Sequence, residues 1–209
     1  MGSTIPIGVG KAWANQLNKN KNIVVIFFGD GATEEGVFFE SMDFAILKKL
    51  RVLFVCENNE YSVYSKINKR QHKKRNLIKI ANSLGMKSSL IINHDLKDIY
   101  LKTKKIVKKM RIDAQPYFLQ INTWRNIEHC GPNIDDNLGY RNIFDQNKWL
   151  KLDQVKKYQN YVVSKKIISK EGVKKMKEKI ILEIDEAFRF AQNSPYPSKK
   201  YLKKFIYND

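Results

Sequence analysis

The stretch FFGDGATEEGVFFESMDFAILKKLRVLFVCENNEYS, at residues 27–62, joins two apolar segments that each end in a short polar motif. The first segment, NIVVIFF at 22–28, runs into Gly-Asp-Gly at 29–31, and the second runs into the pair Asn58-Asn59. Continuous apolar runs of this length are typical of strands that are buried on both faces of a parallel sheet. The apolar residues of 33–49 recur at helical spacing, which predicts a helix between the two strands.

The rest of the chain continues this alternation of helices and strands. We predict further helices near 6–18, 76–84 and 95–110, further strands near 51–58, 87–92 and 116–122, a polar loop at 124–147, and C-terminal helices near 153–161 and 170–192. This order predicts an α/β fold with a mostly parallel sheet flanked by helices. We assign residues 1–209 to a single domain, with 151–209 as its C-terminal helical part.

The composition narrows the class of protein. The formal net charge of +18 could indicate nucleic acid or an acidic partner, but the lysines are scattered over predicted helix faces without a nucleic-acid-binding motif, so we expect no nucleic acid partner. No apolar run reaches transmembrane length and the N-terminus shows no signal-peptide pattern, so we expect no membrane association. The two cysteines, Cys56 and Cys130, cannot form a disulfide framework, which favours the cytoplasm; we expect Cys56 in a buried strand.

The polar motifs at the ends of the first two strands suggest a ligand site. In a parallel sheet, ligands bind at the carboxyl ends of the strands, so Asp30 and an asparagine of the pair 58–59 face the same crevice if their strands are neighbours. Carboxylate and amide oxygens are hard ligands that suit Mg²⁺, and a helix N-terminus beside glycines suits phosphate. Each motif alone is a weak signal, because Asp-Gly is common in turns. Together they suggest a metal-bridged diphosphate.

The spacing of the two motifs resembles the signature of thiamine diphosphate enzymes, in which Gly-Asp-Gly is followed after about 25 to 30 residues by Asn-Asn. The whole stretch is similar to that of the alpha subunit of 2-oxo acid dehydrogenases of the pyruvate and branched-chain type. Four more segments resemble that family in the correct order, namely MGSTIPIGVGKAWA at 1–14, INTWRNIEHC at 121–130, GYR at 139–141 and SPYPSKKYLKKFIY at 194–207.

The resemblance implies a thiamine diphosphate-binding fold and a set of site residues. The implied Mg²⁺ ligands are Asp30, Asn59 and the main-chain carbonyl of Tyr61. The implied cofactor-binding residues are Gly29, Asp30, Gly31, Ala32, Asn59 and His129, and the implied catalytic residue is His129. Judged from the residues alone, His129 is better explained as a solvated loop histidine, and a Cys130–His129 nucleophile would require the two side chains to meet in space.

The resemblance also implies an activity and partners. The activity is oxidative decarboxylation of a small-molecule 2-oxo acid, with acyl transfer to a lipoyl group carried by an acyltransferase. The chain would act as the alpha subunit of an α2β2 heterotetramer, whose beta subunit supplies the glutamate that activates the cofactor. No glutamate of this chain is assigned that role.

Departures from the family pattern keep other functions open. Glu128 and Cys130 replace the glycine and the small polar residue that flank the family's loop histidine, and Trp124 replaces a tyrosine. The family has a hundred or more residues before the segment that matches residues 1–14, so we expect a truncated alpha subunit. The alternatives are a two-subunit transketolase-like or carboligating enzyme and a non-catalytic fragment. The basic run at 66–75 suits a solvated loop or an acidic partner.

Overall fold

The computed structural model describes residues 2–93, 95–141, 153–202 and 204. The chain divides into two compact units, residues 1–155 and 156–209. The first unit contains a parallel sheet with helices packed on it, and the second is helical. That the two act as one cofactor-binding domain stays a prediction. Within the described residues, no helix is both long and apolar enough to cross a membrane.

Helices and strands alternate in the first unit as the sequence predicts. In chain order they are α1 (Thr4–Leu17), β1 (Val24–Gly29), α2 (Gly36–Leu47), β2 (Val52–Asn58), β3 (Tyr61–Ser62), β4 (Ser65–Lys66), α3 (Ile67–Arg70), α4 (Leu77–Ser83), β5 (Lys87–Ile91), α5 (Leu96–Ile112) and β6 (Tyr117–Asn122). A 3-10 turn at Asp30–Glu34 separates β1 from α2, so the helix predicted over 33–49 begins three residues later. The hairpin β3–β4 and the short helix α3 were not predicted.

The main sheet has the order β1-β2-β6-β5, and every pair in it is parallel. β1 and β2 are neighbours, with Gly29 opposite Glu57. The last residue of β2, Asn58, lies opposite Asn122 at the end of β6. Because parallel strands end at the same edge of the sheet, the two polar motifs lie side by side, so the condition set by the sequence is met.

Apolar side chains fill both faces of the central strands. One face packs against α1, α2 and α4, with Phe38, Met42 and Phe54 among its fully buried residues. The opposite face packs against α5 through Ile106 and Met110. All five residues of 52–56 are buried, which confirms the prediction that β2 is covered on both sides and places Cys56 in the core.

β1 differs from the prediction. Ile26 and Phe28 are buried, but Val25 is 43% exposed and Phe27 is 60% exposed. The prediction that the run 22–28 is buried on both faces is therefore wrong. The reason lies in the sheet order, because β1 forms the end of the sheet and α5 covers only β2, β6 and β5 among the described residues.

The second unit contains most of α6 (Gln154–Ser164), all of α7 (Lys170–Asn193) and a 3-10 turn at Lys199–Tyr201. Both helices were predicted. Ser169 caps α7, since its hydroxyl accepts a hydrogen bond from the Gly172 N–H. The apolar stripe of α7 is exposed, with Ile180 and Ile184 about half accessible. The predicted polar loop contains only a 3-10 turn at Asp136–Leu138 up to residue 141, and its part at 142–147 lies outside the described residues.

Candidate functional site

Asp30 lies directly after β1 and begins the 3-10 turn. Its side chain is fully buried, and the Thr33 hydroxyl donates a 2.7 Å hydrogen bond to its main-chain carbonyl, which fixes the turn. The carboxylate oxygen Oδ2 pairs with Arg70 at 2.5 Å. Oδ1 is buried and has no hydrogen-bond partner among the described residues. A buried carboxylate with an unused oxygen is suited to a cation.

The chain after β2 turns sharply around its asparagines. The Asn58 amide oxygen accepts from the Glu60 N–H at 3.0 Å, and that of Asn59 accepts from the Tyr61 N–H at 2.9 Å. Glu60 has a left-handed backbone with φ of 65°, and its carbonyl accepts from the Ile67 N–H at 2.7 Å. These bonds hold Asn59 and the Tyr61 backbone at the sheet edge where Asp30 lies.

The hairpin β3–β4 packs directly on the Gly-Asp-Gly motif. A Cβ atom added to Gly31 would lie 2.7 Å from the Ser62 Oγ and 3.0 Å from its Cβ, so a side chain there would require Ser62 to shift. Gly31 and Ala32 are both buried at this contact. The close approach places the Gly-Asp-Gly motif beside the hairpin that follows Asn59. Six residues of these two adjoining segments are called the constellation below, namely Gly29, Asp30, Gly31, Ala32, Asn59 and Tyr61.

The donor set of this constellation fits a hard divalent cation. Within the described residues there is no group of three or more His, Cys, Asp and Glu side chains that could hold a metal. A cation here would instead use one carboxylate, the Asn59 amide oxygen and the Tyr61 main-chain carbonyl, which are the oxygen ligands that Mg²⁺ prefers. The main-chain N–H groups of Gly31 and Ala32 lie in the first turn after β1, where such groups have no partner within the helix and can donate to a phosphate oxygen.

The segment that follows β6 is anchored on the same hairpin. Arg125 donates a 2.9 Å hydrogen bond from Nη2 to the Val63 carbonyl. The rings of Trp124 and Tyr140 each meet the Tyr61 ring edge-on, at 6.4 and 5.6 Å between centroids. The two ends of the loop 124–141 therefore lie against the residues that follow Asn59.

A buried ionic network closes the base of this loop. Asp135 pairs with Arg141, and both side chains are only 3% exposed. The Tyr140 hydroxyl donates to Asp135 Oδ2 at 2.5 Å and accepts from Arg125 Nη2 at 2.8 Å. Burial, with the nearby Arg125 guanidinium, lowers the pKa of Arg141, so this cation depends on Asp135 for compensation.

His129 lies near the tip of the loop and is exposed. It makes no hydrogen bond to Asp30, Asn59 or Tyr61, all of which are described, so the structure does not bring it into the constellation. The tip itself is closed by Glu128, whose Oε1 accepts from the Asn133 N–H at 3.1 Å and from its Nδ2 at 2.7 Å. Cys130, beside His129, is also exposed and is a free thiol.

Two arginines of the basic run 66–75 were missed as site residues. Arg70 pairs with Asp30 and Glu34. Arg75 donates from Nη2 to the Thr33 carbonyl and lies 5.8 Å from the centroid of the Phe39 ring. The only signal in the sequence is that these two positions hold arginine in a run that is otherwise rich in lysine, since the planar guanidinium is preferred where a cation contacts several acceptors.

Cys56 lies beneath the constellation in β2. Burial raises the pKa of its thiol well above the ordinary range, and the carboxylates of Asp30 and Glu57 raise it further. The thiol therefore stays neutral and serves as a small apolar group of the core.

Comparison with known proteins identifies the family. The model of the family described as "Dehydrogenase E1 component" matches residues 1–200. The chain belongs to the dehydrogenase E1 component family. It is 30% identical over 207 residues to the pyruvate dehydrogenase E1 component subunit alpha of Rickettsia typhi, covering 99% of this chain and 62% of that protein. It is 28% identical over 203 residues to the 2-oxoisovalerate dehydrogenase subunit alpha of Bacillus subtilis, covering 97% and 61%.

The dehydrogenase E1 chain thus spans about 62% of the length of the Rickettsia relative. Among solved structures, it is similar to a proposed thiamin diphosphate-dependent enzyme from Mycobacterium smegmatis, with 20% identity and a TM-score of 0.47 over 60% of this chain and 22% of that one.

Proposed function

We propose that this dehydrogenase E1 chain binds thiamine diphosphate through Mg²⁺ and takes part in the oxidative decarboxylation of a 2-oxo acid as an alpha-type subunit. The observation that carries the proposal is the buried Asp30 carboxylate, with one unused oxygen, beside the turn that holds Asn59 and Tyr61. Membership of the family and the names of the pyruvate and 2-oxoisovalerate dehydrogenase relatives support it.

Each residue of the constellation has a role in this proposal. Asp30, Asn59 and the Tyr61 carbonyl hold the metal, and the N–H groups of Gly31 and Ala32 bind the diphosphate. The cofactor, when bound, supplies the electron sink that decarboxylation of a 2-oxo acid requires. His129 reaches toward the reaction centre when the loop closes, where it stabilises developing negative charge and helps to exclude water.

The proposed assembly contains a beta subunit, in an α2β2 arrangement, which supplies the glutamate that activates the cofactor. The acyl group then passes to a lipoyl-bearing acyltransferase. A cytoplasmic location is part of the proposal, and the two free cysteines, Cys56 and Cys130, agree with a reducing compartment.

The test is calorimetric titration of thiamine diphosphate into the full chain purified with its partner subunit, with Mg²⁺ and with a chelator. We expect binding only with Mg²⁺, and loss of that binding in Asp30→Asn, which keeps the shape of the side chain but removes the charged oxygen ligand. Asp43→Asn is the matched control, because Asp43 is an exposed carboxylate on the following helix. Parent-like affinity in Asp30→Asn would refute the proposal.

A further inference from the structure

Every nitrogen of the Arg70 guanidinium donates a hydrogen bond. It ends the short helix α3, where Nε donates to the Ser65 carbonyl at 3.0 Å. Nη2 donates to Asp30 Oδ2 at 2.5 Å, and Nη1 contacts the Glu34 carboxylate. The side chain is only 12% exposed. The planar fork of arginine makes these contacts at once, which the single ammonium of a lysine cannot do.

The pair between Arg70 and Asp30 has a chemical consequence for the proposed metal ligand. The guanidinium neutralises one oxygen of a fully buried carboxylate while the other oxygen stays unused. A divalent cation bound by the same carboxylate would lie close to the guanidinium, with little water to screen the repulsion. A metal ion that arrives alone therefore competes with Arg70 for Asp30.

A diphosphate removes this conflict because it brings negative charge to the same place. The guanidinium can then donate to phosphate oxygens, which it binds as readily as carboxylates, while its bond to Ser65 is retained. Arg75 does not neutralise Asp30, since its Nη2 donates to the Thr33 carbonyl and it pairs with no carboxylate among the described residues.

We propose that Arg70 is a cofactor-binding residue that makes the site select the metal–diphosphate complex over the metal alone. It serves as the counter-cation of Asp30 until the diphosphate arrives, and then becomes a ligand of the phosphate. This inference rests on the proposed function, because it requires Asp30 to bind the metal.

The experiment measures two affinities in the full chain purified with its partner subunit. The first is the affinity for Mn²⁺ alone, from the free-ion signal in electron paramagnetic resonance. The second is the affinity for thiamine diphosphate at saturating Mg²⁺, from calorimetry. In Arg70→Met we expect Mn²⁺ to bind about tenfold more tightly and the diphosphate about tenfold or more weakly, because one change removes both a competitor and a phosphate ligand.

Two further variants separate the possible causes. Arg75→Met is the matched control and should leave the affinity for Mn²⁺ within about twofold of the parent, since Arg75 does not touch Asp30. Arg70→Lys keeps the charge, so it should leave Mn²⁺ binding nearly unchanged while weakening diphosphate binding about threefold or more. Arg70→Met leaves the buried Asp30 carboxylate without its cation and can therefore misfold. Arg70→Lys keeps that cation, so the inference can still be tested if Arg70→Met does not fold.

Opposite shifts of the two affinities in Arg70→Met, or the diphosphate loss in Arg70→Lys, support the inference. Unchanged or weaker Mn²⁺ binding in a folded Arg70→Met, with parent-like diphosphate binding in both variants, overturns it and leaves a structural ion pair. If Mn²⁺ still binds to Asp30→Asn, Asp30 is not a metal ligand. That result would refute the proposed function itself, and not only the role of Arg70.

Discussion

Asp135→Asn is expected to release the loop 124–141 while the sheet stays folded. Asp135 pairs with Arg141 and, at 3.9 Å, with Arg125, and the Tyr140 hydroxyl bridges Asp135 and Arg125. The substitution therefore removes the negative charge between two guanidinium groups. Asparagine keeps the size of the side chain and one acceptor oxygen. The change is therefore a loss of charge with little loss of packing.

The burial of the pair sets the magnitude. An exposed ion pair contributes about 0–1 kcal/mol, but the Asp135 and Arg141 side chains are each only 3% exposed. Removing one partner of a buried pair costs about 3–5 kcal/mol, because a buried charge is left without compensation. Since asparagine still accepts one hydrogen bond and Asp136 still lies 3.4 Å from Arg141, we expect the lower end of this range, about 3 kcal/mol. That free energy lowers the ratio of anchored to released loop about a hundredfold.

Hydrogen exchange read by mass spectrometry measures this directly. Amides of residues 126–141 should lose protection in Asp135→Asn, while those of β2 and β6 keep theirs. The control is Asp136→Asn, because Asp136 lies 3.4 Å from the same Arg141 but its side chain is 29% exposed. We expect that control to change loop protection by less than about 1 kcal/mol. Equal protection in the two variants would refute the argument from burial.

Substitutions at three other positions test the loop tip and the core. His129→Ala should cut turnover of the assembled enzyme about a hundredfold with cofactor binding intact, and a parent-like rate would remove His129 from the catalytic residues. Glu128→Ala should lower kcat, whereas Glu128→Gln should preserve it because its amide oxygen still accepts from Asn133; equal rates would exclude this role. Burial raises the pKa of the Cys56 thiol, so above pH about 8.5 this thiol loses its proton only in the unfolded chain. The free energy of unfolding of the parent should therefore fall there by up to about 1.4 kcal/mol per pH unit relative to that of Cys56→Val, which lacks the thiol. If the free energy of unfolding had the same pH dependence in the parent and in Cys56→Val, the raised pKa of Cys56 would be contradicted.

Much of the sheet could be predicted from local patterns. The two apolar runs predicted β1 and β2 as strands of a parallel sheet, and the Gly-Asp-Gly and Asn-Asn motifs fall at their ends. What the pattern could not supply was the order of the strands, because a continuous apolar run reads the same at the centre and at the edge of a sheet. The outward exposure of Phe27 follows from that order alone.

The site was predicted less completely. Asp30, Gly31 and Asn59 could be identified because their residue types and spacing carry the chemistry. Arg70 could not, since its partner lies forty positions away in sequence and its own surroundings resemble a solvated basic loop. The two-residue strands β3 and β4 are also too short to give a periodic pattern, although they carry the chain from Asn59 to Arg70.

Among the residues that the structure describes, no strand pairs with the outer side of β1, which presents main-chain N–H and C=O groups on which another extended chain can pair. Val25 and Phe27 add apolar surface beside this row, so concentrated protein should self-associate there. The net charge of +18 opposes that association, because like-charged molecules repel until salt screens them. Solubility should therefore fall as ionic strength rises. The exposed strand β1 thus favours buffers of low ionic strength for handling the protein.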